Sequence, residues 1–416
     1  MLDDIKPPKK QTPKQLGRRA LSRLPAARGL VGQKPNKKTT EPVETIEMGD
    51  DSSASQDIKH FRRLRLWWRG LNRNVRFGII AAVLLLYGSL AIAAFYYTRP
   101  NTEPELIITK TKKVAPKTVP SPLTGVQVAP ELAQRPVTAI MIENSPDARP
   151  QSGLEQAGVV FEAIAEGGIT RFLSLFQEAQ PSYVGPVRSL RPYYIDWAAA
   201  FDASIAHIGG SPDALAQIRN GGKDLDQFFN SRSYWRQPTR ASPHNVYTSF
   251  EKLDALNKAK GYTSSKFTPW PRKKDKVLAT PTAKTIDIKI SSARYNVHYD
   301  YNSSNNTYLR SEGGTPHPST TSPSDSTGQR LAPKVVIVLV MSYGFASDGR
   351  HSVYSTSGKG TVYIFQDGGV TVGTWSKPDR PSQFSFLDAS EVPTKLNAGQ
   401  AWVSIVSGPE KVSYAP

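Results

Sequence analysis

Between Phe77 and Tyr97 the chain reads FGIIAAVLLLYGSLAIAAFYY, an apolar run without a single charge. About 20 such residues cross a hydrocarbon core as a helix, whereas a helix of a globular domain keeps a polar face. The run predicts one membrane-spanning helix over residues 77–97. It starts too far from Met1 to be an ordinary cleaved signal peptide. Past residue 122 the apolar runs shorten and their period changes. PVTAIMIE (Pro136–Glu143) predicts a strand, and GVVFEAIAEGGITRFLSLFQE (Gly158–Glu178) predicts two strands around Gly167 and Gly168. SLRPYYIDWAAAFD (Ser189–Asp202) predicts a helix with Pro192 in its first turn, followed by the strand ASIAHI and the helix SPDALAQIRN.

From residue 276 the pattern is strand after strand: TIDIKI, YNVHYDYN, NTYLR, KVVIVLVMS, GTVYIFQDGGVTVGTW and QAWVSIVSG are rich in β-branched and aromatic residues. SEGGTPHPSTTSPSDSTGQR (Ser311–Arg330) interrupts them and reads as a polar, low-complexity, mobile surface loop. The fold class is therefore α+β. A tail (1–76) and the spanning helix (77–97) lead through a spacer (98–122) to a mixed α/β domain (123–275) and a β-rich domain (276–416). Residues 1–56, rich in Lys, Pro, Ser and Thr, read as disordered, and the spacer, with APKTVPSP, reads as extended.

Charge adds an orientation. Residues 1–76 hold 18 Lys and Arg against 8 Asp and Glu, so +10 of the net +18 lies there. The excess of basic residues before the apolar run places the N-terminus in the cytoplasm and residues 98–416 outside. FRRLRLWWRG (Phe61–Gly70) suits a segment lying on anionic headgroups, so the lipid bilayer is an expected partner. The remaining charge is too dilute to make the outer domains nucleic-acid binders. The absence of Cys excludes disulfides and thiolate chemistry, and the six His show no metal-ligand spacing. Neither metal nor cofactor is expected.

RPVTAIMIENSPDARPQSGLEQAGVVFEAIAEGGITRFLSLFQ, GPVRSLRPYYIDWA, AHIGGSP and PHNVYT, with the C-terminal GGVTVGTWSK and LNAGQAWVSIV, resemble the YerB-like family of bacterial envelope proteins. The resemblance covers roughly 120–407 and implies a two-domain, extracytoplasmic protein. Members are often anchored as lipoproteins. With no Cys, this chain would rely on its apolar helix instead. The family supplies no catalytic residues to carry over, so a site is argued from the residues.

Four groups of residues carry candidate ligand-binding chemistry. If Gly167 and Gly168 form a two-residue turn, Glu162, Glu166 and Arg171 share one strand face, as an ion-pair cluster or a polar network. The two Glu alone are too far apart, at ~13 Å along a strand, for a glycosidase pair. Arg188 and Arg191 share a face at a predicted helix start, where cations need an anion, from Glu162, Glu166 or a ligand. In AHIGGSP, His207 lies at a strand's C-terminal end, and Gly209, Gly210 and Ser211 build either a helix-start anion site or only a tight turn. Arg240, His244 and Asn245 occupy a Pro-bounded loop. Convergence of these groups would make a basic cleft.

The reading that follows is an anchored envelope protein that binds an anionic cell-wall component or a partner protein. The alternative is a hydrolase or transferase on an envelope polymer, with His207 or His244 as acid or base and Glu162 or Glu166 as partner. A scaffold whose tail recruits an intracellular partner is the third reading.

Overall fold

In the computed structural model, residues 57–99 and 117–416 are described, with side chains from Leu64 onward in the first stretch. The expected disordered tail, residues 1–56, and most of the expected spacer lie outside them. The first stretch holds two helices, Asp57–Gly70 and Arg73–Thr98. The second is apolar enough and long enough to cross a membrane, and none of its residues is buried. It extends the predicted run by a turn at its N-terminal end, where Asn72 caps it in extended backbone.

Residues 117–416 belong to a second compact unit that is mostly β, with few helices. Its centre is a ten-stranded sheet. In spatial order the strands are 385–388, 369–377, 358–366, 335–340, 401–406, 159–164, 170–176, 138–143, 204–207 and 224–226. The two expected domains meet inside this sheet, because Ala401–Val406 pairs in parallel with Val159–Ile164. Such central strands are covered on both faces and read as near-continuous apolar runs, as VVIVLV and, apart from Ser404, AWVSIV do.

One face is covered by the helices Pro192–Ala199 and Pro212–Arg219, with Phe161, Leu173, Trp197, Trp375 and Val403 in the shared core. The other face, with Ile140, Phe172 and Trp402, receives Phe250 and Leu253 of the helix Phe250–Ala259. Toward the C-terminal half, a five-stranded antiparallel sheet closes a third core through Ile286, Tyr299 and Tyr308 against Val336, Val338 and Phe365. The end of the expected spacer is folded too: Val119–Pro120 pairs with Gln127–Val128, and Ser121 is buried.

Two expectations are corrected here. The hairpin turns at Gly167 and Gly168, both with positive φ, as a two-residue turn requires. However, Ile169 N donates to Glu166 O at 2.9 Å while Ala165 N donates to Ile169 O at 2.8 Å, so Ala165 and Glu166 together face Ile169. This bulge shifts the ladder by one residue: Glu162 opposes Phe172, and Ala163 opposes Arg171. Because side chains alternate, Glu162 and Arg171 lie on opposite faces, and the bulge returns Glu166 to the Arg171 side. The second correction concerns Ser311–Arg330. Pro318–Thr320 pairs in parallel with Gln151–Ser152, and His317, Ser319 and Thr320 are buried. Their polar side chains are satisfied from the other domain, as where Ser152 Oγ and Thr320 Oγ1 meet at 2.6 Å, so polarity did not mean solvent.

Candidate functional site

The strand Thr138–Glu143 ends in the polar triplet Glu143-Asn144-Ser145, and from there the polar network spreads to both sides of the sheet. Strand C-terminal ends are where sheets of this kind carry sites.

On one side, Glu143 and Arg171 are paired across neighbouring strands. Glu143 Oε2 lies 3.1 Å from Arg188 Nε and 2.9 Å from His244 Nδ1. Ser145 donates its hydroxyl to Glu143 Oε1 at 3.0 Å. Arg171 donates to Ser189 O at 2.8 Å and to Glu166 Oε2 at 3.2 Å. Arg191 donates to the other oxygen, Glu166 Oε1. Two guanidinium groups thus share one carboxylate whose side chain is 32% exposed. Burial alone would raise the Glu166 carboxyl, but Arg171 and Arg191 outweigh it and hold it below the ordinary range. Arg188 and Arg191 do not share a helix face. Arg191 is the N-cap residue of Pro192–Ala199, in extended backbone, and Arg188 lies in the loop before it. Each takes a different acid.

The enzymatic alternative meets this geometry at His244. Ser145 Oγ and Glu143 Oε2 both approach the same ring nitrogen, Nδ1, at 3.4 and 2.9 Å. A serine relay needs the hydroxyl on one nitrogen and the acid on the other. Arg240 and Asn245 serve the same loop: Arg240 donates to Ala148 O at 2.8 Å and Pro150 O at 2.6 Å, and Asn245 accepts from Arg236 Nη1 at 2.8 Å.

AHIGGSP stands apart. His207 is fully buried, with Nδ1 2.8 Å from Gly209 O and Nε2 3.0 Å from Asp224 Oδ1. Burial would raise the Asp224 carboxyl, but its bond to His207 brings it below the ordinary value. Gly209 has φ +60° and donates to Asp226 Oδ1 at 3.1 Å. Ser211 N donates to Leu190 O, and Ser211 Oγ accepts from Ala214 N. A Cβ on Gly210 would meet Leu190 O at 3.0 Å. Gly209 is required by its positive φ and Gly210 by the close approach of the Leu190 backbone, and the N–H groups of Gly209, Ser211 and Ala214 already have acceptors within the protein.

Glu162 enters a buried network on the opposite side. Its oxygens accept from Arg310 Nη2 at 3.0 and 2.9 Å, and Oε2 also accepts from Trp402 Nε1 at 2.9 Å. Arg310, fully buried, also donates to Tyr299 Oη and to His317 Nδ1, each at 2.9 Å. Glu312 Oε1 accepts from Asn144 Nδ2 at 2.6 Å and pairs with Arg149 Nη2 at 3.2 Å. Burial pushes the Glu312 carboxyl up to about 7, only partly offset by Arg310, and Glu162 adds to the rise. Burial, with Arg310 and Arg149 nearby, drives His317 well below the ordinary imidazole value.

Arg310, Glu312 and His317 escaped the sequence reading, as did Glu143. The strand Thr307–Glu312 buries Tyr308, Arg310 and Glu312 and turns Leu309 partly outward, the reverse of an apolar-in pattern. For Glu143, a polar run closing a buried strand was the available signal. A cavity of about 740 Å³ between Trp270, Phe267, Phe384 and Phe386 is lined by none of the expected residues.

Comparison with known proteins agrees with this architecture. Residues 123–263 match the model "Protein of unknown function (DUF3048) N-terminal domain", and residues 286–403 match the corresponding C-terminal domain. The Bacillus subtilis (strain 168) protein named "Putative lipoprotein YerB" is 32% identical over 315 residues, covering 70% of this chain and 87% of the relative. The crystal structure of the YerB protein from Bacillus subtilis superposes with a TM-score of 0.64 at 29% identity, covering 72% of this chain and all of that one. The chain belongs to this two-domain, YerB-like family.

Proposed function

We propose that the chain is a single-pass envelope protein, N-terminus in the cytoplasm, whose outer unit binds an anionic group of a cell-wall component at the Glu166 cluster. The relative's name as a lipoprotein, the helix Arg73–Thr98 and the basic residues before it support the location. The observation that carries the binding reading is the sharing of one partly exposed carboxylate by Arg171 and Arg191, which leaves one positive charge in excess. A bound carboxylate or phosphate would balance it with charge-assisted hydrogen bonds.

The test is binding of inorganic phosphate and poly(glycerol phosphate) to the full chain in nanodiscs. Arg191→Gln leaves Glu166 paired with Arg171, so the fold should survive while affinity falls about tenfold. A variant that loses stability and keeps its affinity for both probes overturns the reading. Protease added outside spheroplasts should cut after Tyr97 and spare residues 1–76. The converse pattern overturns the orientation.

A further inference from the structure

A second site lies where Glu312 meets the base of the segment first read as a loop. A cavity of about 210 Å³ is lined by Arg149, Pro150, Glu312, Thr315, His317 and two further prolines, Pro316 and Pro318. Glu312 is 2% exposed, and its Oε2 has no hydrogen-bond partner among the described residues. The neighbouring imidazole does not help. His317 Nδ1 is 3.3 Å away, but its lone pair accepts from Arg310 Nε, and Nε2 faces Gln151 Oε1 at 2.9 Å. The imidazole therefore carries its proton on Nε2 and offers Oε2 no donor. A buried carboxylate oxygen without a donor is costly, and it lacks one beside an open cavity.

Arg149, which pairs with Glu312 Oε1 through Nη2, supplies the complement. Arg149 Nη1 carries two N–H groups, and its acceptor is Arg294 O at 3.4 Å. At least one N–H is left for an oxygen from the cavity. Between these two functions the walls are proline rings. The volume admits only a few heavy atoms, well below a drug-sized pocket.

We propose that this cavity binds a small free α-amino acid, with the ammonium on Glu312 Oε2, the carboxylate on Arg149 Nη1 and the short stem between the prolines. With Glu312 ionised, Glu162 and Glu312 balance Arg310 and Arg149, and a zwitterion adds no net charge to that network. A lone cation or a lone anion would unbalance it. The assignment does not depend on the Glu166 cluster. Because burial holds the Glu312 carboxyl near neutrality, against the pull of Arg310 and Arg149 and with Glu162 opposing them, ammonium binding displaces its proton. His317, held neutral by burial, takes no part in that exchange.

Calorimetric titration of the full chain in nanodiscs with glycine, L-alanine and D-alanine tests this, with methylammonium, acetate and glucose as probes of each half and of a hydroxyl ligand. At least one amino acid should saturate the site at concentrations where the three controls do not. At pH 6.5, runs in buffers of different ionisation enthalpy should show proton release. Glu312→Gln should weaken binding about ten- to a hundredfold. Should that variant fold poorly, Pro316→Trp fills the mouth from an exposed position without touching the buried network, and should abolish binding at an unchanged melting temperature. Absence of saturation by all three amino acids overturns the proposal. So does equal or tighter binding of acetate, methylammonium or glucose, or binding indifferent to Pro316→Trp.

Discussion

The sheet carries two arginine–glutamate clusters, one on each side, and they behave oppositely. At Glu166 two guanidinium groups serve one acid near solvent, and the acid is held ionised. At Arg310 one fully buried guanidinium serves Glu162 and lies 3.8 Å from Glu312, and the second acid is pushed toward its neutral form. The residue types are the same. The ratio of cations to acids and access to water decide which form of the acid is favoured. A surplus of cation near the surface suits ligand capture, whereas a core network in which Arg310 and Arg149 match Glu162 and Glu312 fastens the two domains together.

The sharpest way to break this contrast is Arg310→Met. It leaves Glu162 buried without its cation and Glu312 with Arg149 alone, and unfolding should become easier by about 3–5 kcal/mol. Arg191→Gln, at the open cluster, should cost only about 1 kcal/mol. Denaturant titrations of the two variants, side by side, check the difference. Equal costs would mean that burial does not separate the clusters.

pH offers a second, somewhat smaller contrast. Glu312 titrates near 7 in the fold against an ordinary 4.5, so folding favours its protonated form. Its stabilising contribution is complete below about pH 4.5 and is lost as pH rises through 7. Relative to Glu312→Gln, the wild type should therefore lose about 3 kcal/mol between pH 4 and pH 8. Glu166 is held low, so its contribution is present above the ordinary carboxyl value and is lost as pH falls. Glu166→Gln should lower stability on the neutral limb, and its cost should shrink on the acid limb as pH falls. Melting temperatures across pH 3–8 for the two variants would show slopes of opposite sign. Slopes of the same sign would dissolve the comparison.

Strand runs such as KVVIVLVMS and the helix after Pro192 were legible because their apolar period is local. Pairing of Glu162 with Arg310 was not, because the partners are 148 residues apart and meet only when the two domains share a sheet. The hairpin was legible as a hairpin, yet one bulged residue exchanged the faces of Glu162 and Arg171. An anion beside Arg191 was expected, from Glu162, Glu166 or a ligand, since a cation at a helix start needs one. Its identity depended on that bulge.

The smallest expected effect concerns the segment Ser311–Arg330, which the polar composition described correctly at its tip and wrongly at its base. At the base, His317 accepts from Arg310 Nε and faces Gln151 Oε1. His317→Leu strands both groups and should cost about 1–3 kcal/mol. At the tip, Asp325 is partly exposed and accepts from Thr321 N at 3.0 Å and Gly328 N at 2.8 Å, bonds that water can replace. Exchanging Ser322–Thr327 for two glycines shortens a loop already closed by the pairing of Ser319 with Gln329. Closure entropy varies slowly with length, so stability should move by less than about 0.5 kcal/mol. Thermal melts of the two variants locate the boundary between base and tip. A tip exchange as costly as His317→Leu would place that boundary beyond Ser322 and make the whole segment part of the clasp between domains.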